Sequence, residues 1–419
     1  MGASPILQDV KQIKKRLIAI FIAPILVSSL VIPSAAAADS VEVLLELVTP
    51  YAPVGSDTVL FQGTYRNKTS TNLTNLSLRL LLSDPIVNRS ALNTALTSVL
   101  PTELIPKGQE YKVPDLKPGA IAPFSIGINA AQLLSKGPGA YLAGFQLISN
   151  NESIGSAFTV IPYLPDRNFI TPVGITLLWP VTSPPLRNGD GVLLDETIPT
   201  STTATGRLRN ILEAGRANSV VWMLDPDLLD LADKASKGYF VQSSKGNLNG
   251  IYANEIATWF NELKTSVAAK ERWSMTYANA DLASMQQNKA KSAFEQSVTI
   301  ARVTTEQKLG FTTGGTFLFQ DKFPVSETVI GLANSLGTNA IVLPDTALPP
   351  IVGTTFTPSG TATVETPNGR VKVFLTDSLL SKASEYKVEN AAQTSFQRQR
   401  LYADTLLIAL QLPNVERNI

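Results

Sequence analysis

Val220-Val221-Trp222-Met223-Leu224-Asp225-Pro226-Asp227-Leu228-Leu229-Asp230 is the stretch from which the fold is read. Five apolar residues in a row suit a strand buried on both faces. Asp-Pro then supplies a helix cap and a first-turn proline. A buried strand feeding a helix is the unit of a parallel sheet covered by helices. The same texture recurs from residue 173 onward. Apolar runs at 173–179, 273–277, 317–319, 340–343 and 371–375 read as strands. Helical spacing appears at 204–216, at 254–269 (Ile256, Trp259, Phe260, Leu263, Val267) and at 326–336, where Ser326 stands as N-cap and Gly337 as stop. A last helix over 391–410 aligns Phe396, Ala403, Leu407 and Leu410. The polar stretch 286–307 reads as a solvated helix or insertion. Five or six strand–helix repeats favour a (β/α) barrel, complete or incomplete, over a doubly wound sheet. The chain has no G-x-G-x-x-G and no Walker A motif, which argues against dinucleotide and P-loop sites.

Residues 40–163 differ. Short extended runs are punctuated by turns such as Lys117-Pro118-Gly119 and Lys136-Gly137-Pro138-Gly139. In one run Phe124, Ile126 and Ile128 share a face. Six or seven such strands predict an immunoglobulin-like β-sandwich. Residues 91–104 read as a short helix or a long connection. A proline-bearing linker over 164–172 then leads to the barrel-like domain at 173–419.

The N-terminus reads as a secretory signal over 1–38. Lys11, Lys14, Lys15 and Arg16 precede an apolar run from Leu17 to Ile32, and four alanines end at Ala38. Cleavage there removes four basic residues and Asp9, so the net charge of +1 becomes −2. The expected location is extracytoplasmic.

Composition excludes several chemistries. The 419 residues contain no His and no Cys. Ser-His-Asp and Cys-His nucleophiles are therefore impossible within this chain, as are thiolate or imidazole metal sites and disulfides. No cofactor and no metal is expected. The near-neutral balance of 35 basic and 34 acidic residues argues against a nucleic-acid partner.

What remains is carboxylate chemistry. Asp225 and Asp227, Asp281, Asp345 and Asp377 each stand at or just after the C-terminal end of an expected strand, the edge where barrel enzymes place their chemistry. A glycosidase needs two carboxyl groups about 5–10 Å apart, one protonated and one ionised. Asp225 and Asp281 are the first candidates for that pair. Trp179, Trp222, Tyr239 and Tyr277 stand near the same edge as candidate sugar platforms. Asp227, Asp345 and Asp377 are candidate ligand contacts, with helix capping as the competing reading.

These residues also carry a resemblance. Trp179-Pro180, the run from Val221 to Asp230, Gly238-Tyr239, and Tyr277 with Asp281 look like an actinobacterial set of uncharacterised secreted, membrane-tethered proteins often encoded beside the lipid II flippase. Gly63-Thr64-Tyr65-Arg66-Asn67, Arg89-Ser90, Leu116-Lys117-Pro118-Gly119 and residues 397–404 are similar to the same family. The resemblance implies a cell-envelope role, with cell-wall glycan or peptidoglycan assembly proteins as partners, and no defined activity. It also implies a truncated chain, with barrel closure and a membrane anchor in a missing C-terminal segment. The second domain resembles, more distantly, glycoside hydrolase and polysaccharide deacetylase barrels. Without histidine the metal-dependent deacetylase is excluded. The expected function is a non-catalytic glycan-binding or scaffold role, and the alternative is a carboxylate glycosidase acting on a cell-wall glycan.

Overall fold

The computed structural model describes residues 41–97, 104–319, 325–384 and 388–419. The signal-like segment 1–38 lies outside them.

Two antiparallel sheets form the first domain. One orders β1 (Val41–Thr49), β2 (Thr58–Asn67) and a long strand at Ile121–Asn129 as neighbours. The other is built on β3 (Leu76–Leu82), followed in the chain by helix α1 (Arg89–Thr97) and two short strands, β4 (Ile105–Pro106) and β5 (Tyr111–Lys112). The strand at Ile121–Asn129 is β6, and the one-turn helix α2 (Ala130–Leu133) follows it. β7 (Gly139–Ser149) and β8 (Glu152–Tyr163) complete the second sheet, in the order β4-β3-β7-β8. Val48, Phe61, Tyr65, Leu78 and Phe145 fill the space between the sheets. The domain is a β-sandwich.

β7 is buried along almost its whole length because it has two covered faces. Alternate residues enter the sandwich core. The others, Ala140 and Leu142, pack with Leu92 of α1 and with Ala403 and Leu407 from the end of the chain.

The second domain opens with β9 (Val173–Gly174) and β10 (Leu178–Val181). These replace the single strand expected over 173–179. The interruption leaves Ile175 and Leu177 exposed. Helices α3 (Thr197–Ser201) and α4 (Arg207–Ala217) lead to β11 (Val221–Leu224) and α5 (Pro226–Ala235). A small hairpin, β12 (Phe240–Val241) and β13 (Leu248–Asn249), precedes α6 (Ala253–Ala268) and β14 (Arg272–Met275). Three helices follow: α7 (Leu282–Gln287), α8 (Lys291–Thr299) and α9 (Ala301–Leu309). They are not a solvated insertion, since Phe294, Val298, Ala301 and Leu309 are buried. Then come β15 (Thr316–Phe319), α10 (Glu327–Ser335) and β16 (Thr338–Pro344). The hairpin β17 (Thr361–Thr366) and β18 (Gly369–Thr376) follows.

The sheet runs β10-β11-β14-β15-β16-β18-β17, parallel except for β17. The parallel strands lie in chain order, without the reversal of a doubly wound sheet, and β17 is added outside β18. Among the described residues the ladder is open, with β10 and β17 as its edges, and no closed barrel forms. The two edges are nonetheless tied at one end. β19 (Arg417–Asn418) pairs with β9, and the Gly360 N–H donates to the Asn418 carbonyl at 2.8 Å.

Chain order misplaces one element. Helix α11 (Ser378–Ser384) precedes α12 (Ala391–Gln411), and α12 lies on the sandwich rather than on the parallel sheet. Its Gln399 amide donates to the Val48 carbonyl at 3.2 Å, and Arg400 donates to Asn93 of α1 at 3.3 Å. The apolar stripe of Ala403 and Leu407 covers Ala140, Leu142 and Val160 on the outer face of β7 and β8.

Candidate functional site

Thr182, Asp225 and Tyr277 follow the C-terminal ends of β10, β11 and β14, three neighbouring strands. Asp225 is 1% exposed and caps α5, accepting the Asp227 N–H at 3.0 Å. Its other oxygen accepts the Thr182 hydroxyl at 3.0 Å. Burial pushes the Asp225 carboxyl up to about 7, despite these hydrogen bonds, and the nearby Asp227 charge adds to the rise. Ala278 and Asn279 both sit in the left-handed region, at φ 56° and 44°. That costs an alanine on the order of 1 kcal/mol.

Above this edge a cleft of about 620 Å³ opens. One wall is the hairpin Arg187-Asn188-Gly189-Asp190-Gly191-Val192-Leu193. It is closed by Asn188 N–H to Val192 carbonyl (2.9 Å), while the Asn188 side-chain oxygen accepts from the Asp190 and Val192 N–H groups at 3.0 Å each. Leu193 N–H donates to the Phe240 carbonyl at 2.9 Å, which fixes Phe240 beside the hairpin. Asp230 and Lys234 of α5, Tyr239, Phe240 and Tyr277 are among the other lining residues.

Arg187 ties these walls together. It pairs with Asp227, donates to Asp230 at 3.3 Å and donates to the Tyr277 hydroxyl at 3.1 Å. Burial by itself lowers the pKa of this guanidinium, but the charge and hydrogen bond of Asp227, with Tyr277 and Asp230, together raise it. Asp230 also accepts from Lys234 at 2.9 Å and pairs with Lys308 at 3.0 Å; these cations hold it ionised against its burial. Burial raises Tyr277 to about 12, so it stays a neutral phenol at ordinary pH.

Tyr239 donates to Glu196 at 2.6 Å and accepts from the Tyr252 N–H at 3.2 Å. Its ring lies where a Cβ on Gly250 would come within 2.0 Å, so position 250 has no room for a side chain.

The nine residues singled out by sequence fall into distinct places. Tyr239 and Tyr277 line the cleft, and Asp227 lies behind it, paired with Arg187. Trp222 is corrected outright. It is 0% exposed, facing α4 where Gly215 leaves room for its ring, and cannot be a sugar platform. Trp179 packs on the same side, with its indole N–H on the Ile211 carbonyl at 2.9 Å. Asp281 caps α7 by accepting the Ser284 N–H (2.9 Å) and hydroxyl (2.6 Å). Asp345 accepts the Ser378 N–H at 3.2 Å and its hydroxyl. Asp377 is buried against Arg89 of the sandwich. Neither Asp225 nor Asp281 lines the cleft.

Sequence reasoning missed Arg187, Asn188, Asp190, Lys234 and Phe240. The usable signal was Asn188-Gly189-Asp190-Gly191, a tight-turn composition within a long loop at the productive sheet edge. Among the described residues no group of three metal-ligating side chains occurs, and no helix is long and apolar enough to cross a membrane.

No curated protein matches the chain. Among solved structures, the CARDB domain of a Pyrococcus furiosus protein is similar at 10% identity and TM-score 0.19, covering 30% of this chain and 93% of that one. A β-glucosidase from Listeria innocua is similar at 11% identity and TM-score 0.21, over 30% of this chain and 16% of that one. A β-glucosidase from Erythrobacter marinus reaches 14% identity and TM-score 0.22 over the same shares. Likenesses this slight carry no argument about activity. The family assignment rests on sequence, over residues 17–419: this chain belongs to DUF6049, a family of unknown function.

Proposed function

We propose that this chain is a secreted cell-envelope protein of an actinobacterium that holds a glycan without cleaving it, as a binding or scaffold component near peptidoglycan or its assembly proteins. The observation that carries this reading is the fate of the carboxylates at the sheet's C-terminal edge. Asp225 and Asp281 are engaged as helix caps and neither lines the cleft. Asp227 and Asp230 are held by Arg187, Asp377 by Arg89, and Asp345 by Ser378. A glycosidase needs two carboxyl groups facing one reacting bond. The signal-like N-terminus and the resemblance to secreted, membrane-tethered envelope proteins support the location.

The cleft suits a carbohydrate in kind. It combines aromatic rings with polar groups, the usual means of holding a ring with an apolar face and hydroxyl edges. The test is co-sedimentation of the chain from Asp39 onward with purified actinobacterial cell walls. Protein in the pellet, reduced in Tyr277→Ala, is expected. Protein left in the supernatant at all wall concentrations would overturn the reading.

A further inference from the structure

The charges around the cleft point to what kind of sugar it takes. Resting on the glycan-holding reading, we infer that its ligand is an uncharged pyranose segment, held between the Phe240 ring and the Asn188–Asp190 turn, and not an anionic glycan.

Three observations converge. First, the lining carries no surplus cation. Arg187 is engaged by Asp227, Asp230 and Tyr277, and Lys234 is tied to Asp230. Asp190 contributes a further negative charge, so the four charged lining residues, Arg187, Lys234, Asp190 and Asp230, cancel. A carboxylated or phosphorylated polymer would have to compete with Asp227 and Asp230 for Arg187, and with Asp230 for Lys234.

Second, Asn188 and Asp190 keep free groups. The Asn188 oxygen is used by the turn, but among the described residues its amide nitrogen and the Asp190 carboxylate have no partner. A donor and an acceptor two residues apart on a fixed turn match adjacent hydroxyls, each of which both donates and accepts. Third, Phe240 is 53% exposed although it is anchored through its backbone to Leu193. An apolar ring held in water beside free polar groups is suited to the C–H face of a pyranose.

The probe pair is chitotetraose, which is neutral, against a hyaluronan tetrasaccharide, which carries a carboxylate on alternate rings. Both are titrated into the chain from Asp39 onward by calorimetry at 20 and 200 mM salt, conditions roughly threefold apart in Debye length. Chitotetraose is expected to bind, with little change between the two salts, and hyaluronan to bind more weakly. Phe240→Ala and Asp190→Ala should each weaken chitotetraose roughly tenfold with unchanged melting, since both side chains are exposed. Preference for hyaluronan that fades with salt would overturn the inference. So would binding of neither probe, or chitotetraose affinity indifferent to both substitutions. Failure with chitotetraose while wall co-sedimentation succeeds would sink this inference alone, and loss of wall binding would sink the broader reading.

Discussion

Arg89 and Asp377 stand 288 residues apart in the chain and meet in a buried two-pronged ion pair, Nη1 to Oδ2 at 2.6 Å and Nη2 to Oδ1 at 2.7 Å. Arg89 opens α1 in the sandwich, and Asp377 follows the last parallel strand and caps α11 through the Leu380 N–H at 2.9 Å. Asp404 of α12 joins at 3.4 Å from Arg89 Nε. One guanidinium therefore binds the sandwich to both terminal helices of the second domain.

Arg89→Met leaves two buried carboxylates without that partner. The expected loss is roughly 3–5 kcal/mol by guanidinium unfolding at pH 7. Burial already raises Asp404, and Arg89 opposes the rise. Without Arg89 the buried Asp404 carboxyl should rise further, so the deficit of the variant should shrink as the pH is lowered and that carboxyl takes up a proton. A loss under about 1 kcal/mol at pH 7 would show that the junction does not depend on this pair.

Asp225 gives the protein a titration near neutrality. With its folded value raised to about 7 from an ordinary 3.8, the folded state holds a proton that the unfolded chain has released between those values. Stability contributed by this group is thus full below about pH 4 and is lost as pH rises through 7, by a few kcal/mol in order of magnitude. The chain has no His and no Cys to obscure the effect. The melting temperature should fall from pH 5 to pH 8 in the native protein and much less in Asp225→Asn, which keeps the cap acceptor. Equal slopes would contradict the burial of this carboxyl.

Gly215 of α4 lies against the Trp222 ring, where an added Cβ would come within 2.3 Å of the ring and 2.9 Å of Trp179. Gly215→Ala should destabilise by about 1–3 kcal/mol despite its better helix propensity. A stabilising outcome would mean that the two tryptophans are not packed on this helix.

Asp281→Ala removes a cap and should cost about 1 kcal/mol. Wall binding should stay unchanged, because Asp281 does not line the cleft. A large loss of binding with intact stability would return Asp281 to the site.

Much of the fold was readable locally. α6 showed its buried stripe in the spacing of Ile256, Trp259, Phe260, Leu263 and Val267, all buried. Ser326 caps α10 through the Val329 N–H at 3.3 Å, as its position before an apolar run suggested. Other features depend on contacts far away in sequence. The apolar stripe of α12 looks the same whether it meets a parallel sheet or a sandwich. β17 is antiparallel and half exposed, so its threonines carried no strand signal comparable to the buried runs. Asp residues after strands were correctly placed at one edge, yet whether each faces a ligand or a helix end depends on partners such as Arg187 and Arg89. Neither stands near its aspartates in sequence.

The measurement that tests the central claim most directly is the release of new reducing ends from purified actinobacterial cell walls carrying bound protein. It would run for a day across pH 5 to 8, a range that spans about one pH unit or more on either side of the Asp225 titration. A glycan-holding protein stays on the wall and releases nothing above the protein-free blank at any pH. Release that grows with protein and disappears in Asp225→Asn would contradict the account and make the chain a glycosidase.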